Sequence, residues 1–276
     1  MLQLKTRALA AIVSATACCL APLTHAADAS KFDVAGLTLG MSPEDALKAL
    51  RVHGVNEQSI SESRLAFRYS DGLKHDHSTA DFTHMIVAHV DGFVDGKRRT
   101  DTFNLFFSPP PEGGKLVAVR RTIDNRVDPV TNGQFRAAVL EKYGAPTVQT
   151  SANINWQFGG GSRNCLNTSP NGIGIPIPDA GSRNGKSILD MVYARKGVQY
   201  DFSRFQTPRV ASLDDCASML QYNISPGDAQ PATRVSAEMI DVKNWVNAEL
   251  AAKTWVEGLR QKAVKQREGS GNKPAL

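Results

Sequence analysis

The residue pattern predicts an α+β protein with two tandem lobes, each a short capped helix followed by an antiparallel β-meander, plus a long C-terminal helix. Three observations carry this reading. Helix-start signals occur at Ser42 and again at Thr131. Each is followed by short runs of apolar alternation separated by turn dipeptides. The last apolar residues recur at helical spacing.

In the first lobe, residues 31–127, Ser42 supplies an N-cap, Pro43 suits the first helical position and Asp45 completes a capping box. Ala46, Leu47 and Leu50 form the apolar stripe, and Gly54 ends a helix over 42–53. Strands follow at Leu65–Phe67–Tyr69, Met85 to Val90, Phe103–Leu105–Phe107 and Leu116 to Ile123. Asp71-Gly72, Asp91-Gly92 and Asp95-Gly96 read as turns between them. Pro109 to Pro111 with Gly113-Gly114 makes a loop.

In the second lobe, residues 128–242, Thr131 and Gln134 repeat the capping box, with Phe135, Val139 and Tyr143 on one helix face and Gly144 at its end. Strand candidates are Ile154–Trp156–Phe158, Ile188 to Ala194, Met219 to Ile224 and Val235 to Ile240. Residues 159–186 hold seven glycines and three prolines and read as a long Gly/Pro/Asn-rich loop. Trp245, Ala252, Val256, Leu259 and Ala263 place a helix over 243–268, leaving 269–276 as a disordered tail.

The first 26 residues read as a secretory signal peptide. Lys5 and Arg7 precede an apolar stretch from Ala8 to Leu20, and Thr24-His25-Ala26 fits a cleavage pattern. About 250 residues then remain, enough for one large domain or two small ones. A lipobox would put an aliphatic residue where Ala15 stands, so cleavage near Ala26 is favoured over lipid anchoring at Cys18. The net charge of +5 includes the two leader cations and does not call for nucleic acid. No later segment approaches a transmembrane span. Localisation is therefore expected to be periplasmic.

Two cysteines remain outside the leader, Cys165 and Cys216, and an exported chain is expected to pair them in a disulfide. Ala180 to Ser187, A-G-S-R-N-G-K-S, satisfies a loose phosphate-loop pattern. Two prolines spoil the strand before it and a strand-like run follows it, so it reads as a solvated turn. Histidines after the leader all lie between residues 53 and 89. Asp71, His75, Asp76, His77, Asp81 and His84 form the one dense set of ligand-type side chains, weak candidates for a metal. His53 and His89 read as structural. Trp245 and Trp255 read as core, although the basic end of their helix, with Lys262, Lys265 and Arg267, also suits peripheral contact with anionic lipid. No G-x-S-x-G elbow occurs.

The stretch G-L-T-L-G-M-S-P-E-D-A-L, 36–47, resembles the entry segment of proteobacterial exported proteins in which G-x-x-L-G-M-[S/T] leads a short helix. R-A-A-V-L-E-K-Y-G-A-P, 136–146, is similar to their second helix, and the Cys165/Cys216 pair also looks like that group. A helix-plus-meander lobe beginning G-M-[S/T] distantly resembles the small lipoprotein of the outer-membrane β-barrel assembly machinery. The tandem arrangement is similar to secreted β-lactamase inhibitory proteins. These resemblances imply an α+β fold and protein binding, and no functional residue is carried over.

Together these readings predict a non-catalytic binding protein of the cell envelope with no cofactor and an envelope protein as partner. A metal-dependent or hydrolytic enzyme centred on 71–84, and a secreted inhibitor or effector acting on another protein, are the alternatives.

Overall fold

A computed structural model describes residues 31–73, 75–159, 193–195, 205–208 and 218–270. The leader, Cys18, Cys165, Cys216, Ala180 to Ser187, nearly all of 159–186, and 271–276 lie outside the described residues.

The fold is α+β. Helix α1 (Pro43–Val52) begins at Ser42, whose Oγ accepts the Asp45 amide at 3.1 Å. The Asp45 carboxylate accepts from the Ser42 hydroxyl at 2.9 Å, so this cap is not the reciprocal box expected; aspartate is one methylene shorter than the usual glutamate. A 3₁₀ turn (Glu57–Ser59) leads into β1 (Ile60–Leu65), β2 (Arg68–Ser70), β3 (Asp76–Ser78), β4 (Phe82–Val94), β5 (Lys97–Phe107) and β6 (Leu116–Asn125). Helix α2 (Asn132–Tyr143) has the complete capping box, with Thr131 Oγ1 accepting from Gln134 N and Gln134 Oε1 accepting from Thr131 N. Then come β7 (Val148–Gln149), β8 (Asn153–Phe158), β9 (Tyr193–Arg195), β10 (Phe205–Pro208), β11 (Ser218–Ile224), β12 (Arg234–Ile240) and α3 (Val242–Ser270).

Two sequence expectations are corrected. Leu65 and Tyr69 do not share a strand, because β1 ends at Leu65 and the chain re-forms as β2, which pairs with β3 in a separate ribbon. Asp91-Gly92 is not a turn: Asp91 lies opposite Thr100 and Gly92 opposite Arg99 inside the long β4–β5 hairpin. The turn is Asp95-Gly96, both at positive φ (50° and 71°), the backbone a two-residue hairpin needs. The C-terminal helix also runs past Gly269 to Ser270.

Eight strands form one antiparallel sheet in the order β1-β4-β5-β6-β12-β11-β8-β7. Four of the six strands between α1 and α2 (β1, β4, β5 and β6) occupy one half, and four strands that follow α2 occupy the other. The halves meet through their last strands, β6 and β12, from Ala118↔Ile240 to Asp124↔Arg234. One face carries the core row Ile86, Leu105, Val119, Met239, Leu220 and Trp156, packed with Ala46 and Leu50 of α1 and Val139 of α2. Phe32 stacks on Phe158 at 4.4 Å and Trp156 Nε1 donates to the Gly144 carbonyl at 3.1 Å, sealing the α2 end.

The opposite face is divided. At one end Met85, Phe106, Ala118, Ile240 and Met219 share a row, and Trp245 of α3 lies 5.4 Å from Phe106. The helix, about 43 Å long by its 29 residues, reaches the β2–β3 ribbon, where Trp255 meets Phe67 edge-on and Arg267 donates to the Asp71 carbonyl. Trp245 is buried and Trp255 half-buried. Among the described residues no helix is long and apolar enough to cross a membrane. Toward the other end of the same face the rows turn polar, and there the sheet forms a groove.

Candidate ligand-binding groove

The groove has a volume of about 710 Å³ and is floored by side chains of β5, β6, β12, β11 and β8. Its residues follow from register. Thr122 faces Ser236, Ser236 faces Asn223, and Asn223 faces Asn153, so one polar row crosses four strands. The next row is Asn104, Arg120, Glu238, Gln221 and Asn155. Strand spacing of about 4.8 Å sets the rungs of both rows. Arg234, two residues before Ser236 on the same face of β12, stands at the rim with Ser225.

Within the floor, Arg120 Nε donates to Glu238 Oε1 at 2.8 Å, and both side chains are largely withdrawn from solvent (20% and 13% exposed). Gln221 Nε2 donates to Asn223 Oδ1 at 2.9 Å, and Asn223 Nδ2 donates to Ser236 Oγ at 3.1 Å. The Gln221 carbonyl oxygen has no partner among the described residues. Ser236 Oγ ends this run of bonds as an acceptor, and no described residue accepts its proton. Asn155, opposite Gln221 and only 1% exposed, has neither side-chain amide atom hydrogen-bonded among the described residues. An orphaned buried amide costs about 1–3 kcal/mol, so a polar row this far into the sheet is not a stability device.

The side chains of Asn104, Thr122, Asn153, Ser225 and Arg234 line the groove with no hydrogen-bond or ion-pair partner among the described residues. Asp124, directly opposite Arg234 on β6, is engaged by Arg126 at 3.2 Å.

On the helix face lies a second charged cluster. Asp101 accepts from Arg121 Nε at 2.9 Å and Nη2 at 2.6 Å, and His53 Nε2 lies 2.9 Å from Asp101 Oδ2. Arg121 sits over the Phe103 ring and His53 meets that ring edge-on. Asp101 Oδ2 occupies His53 Nε2, and the Arg121 guanidinium compensates the carboxylate. This arrangement ties the C-terminus of α1 to the sheet. His53, read from sequence as structural, occupies that role here.

The metal candidates do not converge. His77 stacks on Tyr69 at 5.3 Å, and His75 stands before β3, exposed. His84 faces Phe106 edge-on at 6.5 Å, and burial pushes its imidazole below the ordinary value. Asp71 Oδ1 accepts the Leu73 amide at 2.9 Å, which holds that carboxyl below its usual range. Asp76 lies opposite Ser70, and Asp81 is exposed. Among the described residues no group of three or more His, Cys, Asp or Glu is placed to hold a metal ion. Cys165 and Cys216 lie outside the described residues.

Sequence reading missed the groove because each member looks like an ordinary outward-facing strand residue. A signal was nonetheless present. In N-I-N-W-Q-F, S-M-L-Q-Y-N-I and R-V-S-A-E-M-I the outward positions are mostly Asn, Gln and Ser. A merely solvated face more often carries Lys and Glu.

No protein-family model, curated protein or solved structure matches this chain.

Proposed function

We propose that this chain is a non-catalytic binding protein of the bacterial cell envelope and that it engages its partner through the polar groove. One observation carries the reading. Five polar side chains from strands and strand ends of one continuous sheet converge on one groove with no hydrogen-bond or ion-pair partner among the described residues. A paired sheet holds such groups in fixed register, which lowers the ordering cost of recognition. The leader supplies the compartment: Lys5, Arg7 and the Ala8–Leu20 stretch direct the chain out of the cytoplasm.

The polar lining fits recognition by hydrogen bonds rather than apolar burial. Asn104 and Asn153 each offer a donor and an acceptor side by side, matching a peptide group.

A photo-crosslinking residue placed at Thr122 tests this in intact cells. A discrete, reproducible adduct from Thr122, absent when the same residue replaces exposed Lys48 on α1, is the expected outcome. Equal labelling from both positions, or none from Thr122, overturns the groove as the binding site.

A further inference from the structure

The geometry points to a carboxylate-bearing extended peptide as the ligand of this groove, its carboxylate held by Arg234 and the Ser236 hydroxyl. The inference rests on the groove reading above and adds the chemistry of the occupant.

The groove's two cations differ in what remains to them. Arg120 is committed to Glu238 at 2.8 Å, and that carboxylate is thereby neutralised. Among the described residues Arg234 has no ion pair, and the acid directly across the ladder, Asp124, is held by Arg126. A guanidinium presents five donors and no acceptor, so an exposed and unpaired one in a groove calls for an anion. Ser236 supplies the second donor. Its oxygen accepts from Asn223 Nδ2, and no described residue accepts its proton, which leaves that proton for a ligand. Arg234 and Ser236 are i and i+2 on β12, about 6.7 Å apart along one face, within reach of a single carboxylate for a side chain as long as arginine.

From that anchor the row Ser236, Asn223, Asn153 leads across three strands. Asn153, half-buried with an unpartnered amide, lies about 10 Å along the row, two to three residues of extended chain from the carboxylate. Its paired donor and acceptor match a backbone peptide group, whatever side chain that residue bears. The site therefore reads a terminus or an acidic side chain together with main chain, and discriminates little among other side chains.

Calorimetric titration of the purified chain with acetyl-Gly-Ser-Gly-Ser bearing a free carboxylate, its C-terminal carboxamide, and inorganic phosphate tests the class. The free carboxylate is expected to bind about tenfold more tightly than the carboxamide, as fits the loss of one charge-assisted bidentate contact. Arg234→Gln should bring the two peptides to equal affinity, while Arg234→Lys, which keeps the charge without the fork, retains part of the preference. Ser236→Ala should weaken the carboxylate several-fold and the carboxamide less.

Equal binding of the two peptides, binding of phosphate in preference to the peptide, or binding of no probe overturns the carboxylate assignment. Any of these with the Thr122 adduct intact leaves the groove as a site of other chemistry. Loss of that adduct as well removes the groove reading with it.

Discussion

Asn223 and Ser236 face each other across β11 and β12, and the asparagine Nδ2 donates to the serine Oγ at 3.1 Å. This bond gives the groove floor its direction. It begins at Gln221, buried in the sheet, and ends on a hydroxyl whose proton is still available. Groups that stabilise a fold are normally satisfied within it. Here the unspent capacity among the described residues lies in neighbouring rows of one face, which is why the polar half of the sheet reads as a recognition surface.

The Asp101–Arg121 pair is expected to be a stability element. Both groups are mostly buried, 9% and 19% exposed, beneath the end of α1. Asp101→Ala leaves the guanidinium uncompensated and should cost about 3 kcal/mol in urea denaturation, with binding at the groove unchanged. The double variant Asp101→Leu/Arg121→Met should recover much of that loss. A cost below about 0.5 kcal/mol for the single variant would contradict the assignment.

Thr131→Ala removes the acceptor for the Gln134 amide in the complete capping box and should destabilise the chain by about 1 kcal/mol. Ser42→Ala removes the corresponding bond to Asp45 and should cost a similar amount. Denaturant midpoints of the two variants check both values, and an unchanged midpoint for Thr131→Ala would refute the role of the cap.

His84 makes stability fall in mild acid. Burial against Phe106 lowers its pKa in the folded state, so below the ordinary histidine value of about 6.5 the unfolded chain takes up a proton that the folded chain resists. Stability is full above that pH and declines as pH drops through it. His84→Phe should flatten the decline between about pH 6.5 and 5 in thermal melts. An unaltered pH profile would show that the imidazole is not the responsible group.

Tyr143 works at the other extreme. Burial raises its phenol to about 12, and its hydroxyl donates to the Asp33 carbonyl at 2.6 Å. From pH 10 upward the unfolded phenol ionises first, so stability falls until the folded phenol ionises too. Tyr143→Phe should lose the Asp33 bond at neutral pH yet show a shallower alkaline decline, measurable by tyrosine absorbance and melting temperature. A steeper decline than in the parent chain would contradict this.

Much of the fold was legible because its signals are local. Ser42, Thr131, Gly144 and the Phe103–Phe107 alternation each act within one element, and each element is where the residues place it. Asp91-Gly92 misled because a turn dipeptide inside a long hairpin is overridden by ten consecutive cross-strand pairs, Met85↔Phe106 to Val94↔Lys97. The groove was not legible because it is a property of register across five strands, linking Asn104 to Asn153 and Arg120 to Glu238, 118 positions apart. The histidine-rich segment drew attention through composition alone, yet its side chains go to different neighbours, His77 to Tyr69 and His84 to Phe106.

The most direct test is the Thr122 photo-adduct in a chain that also carries Ser236→Trp, which places an indole on the groove floor. The expected result is a chain that still unfolds cooperatively, at a melting temperature lowered by the loss of the Asn223 bond, and that no longer yields the adduct. A stable Ser236→Trp chain that still yields the adduct at the parent's level would contradict it.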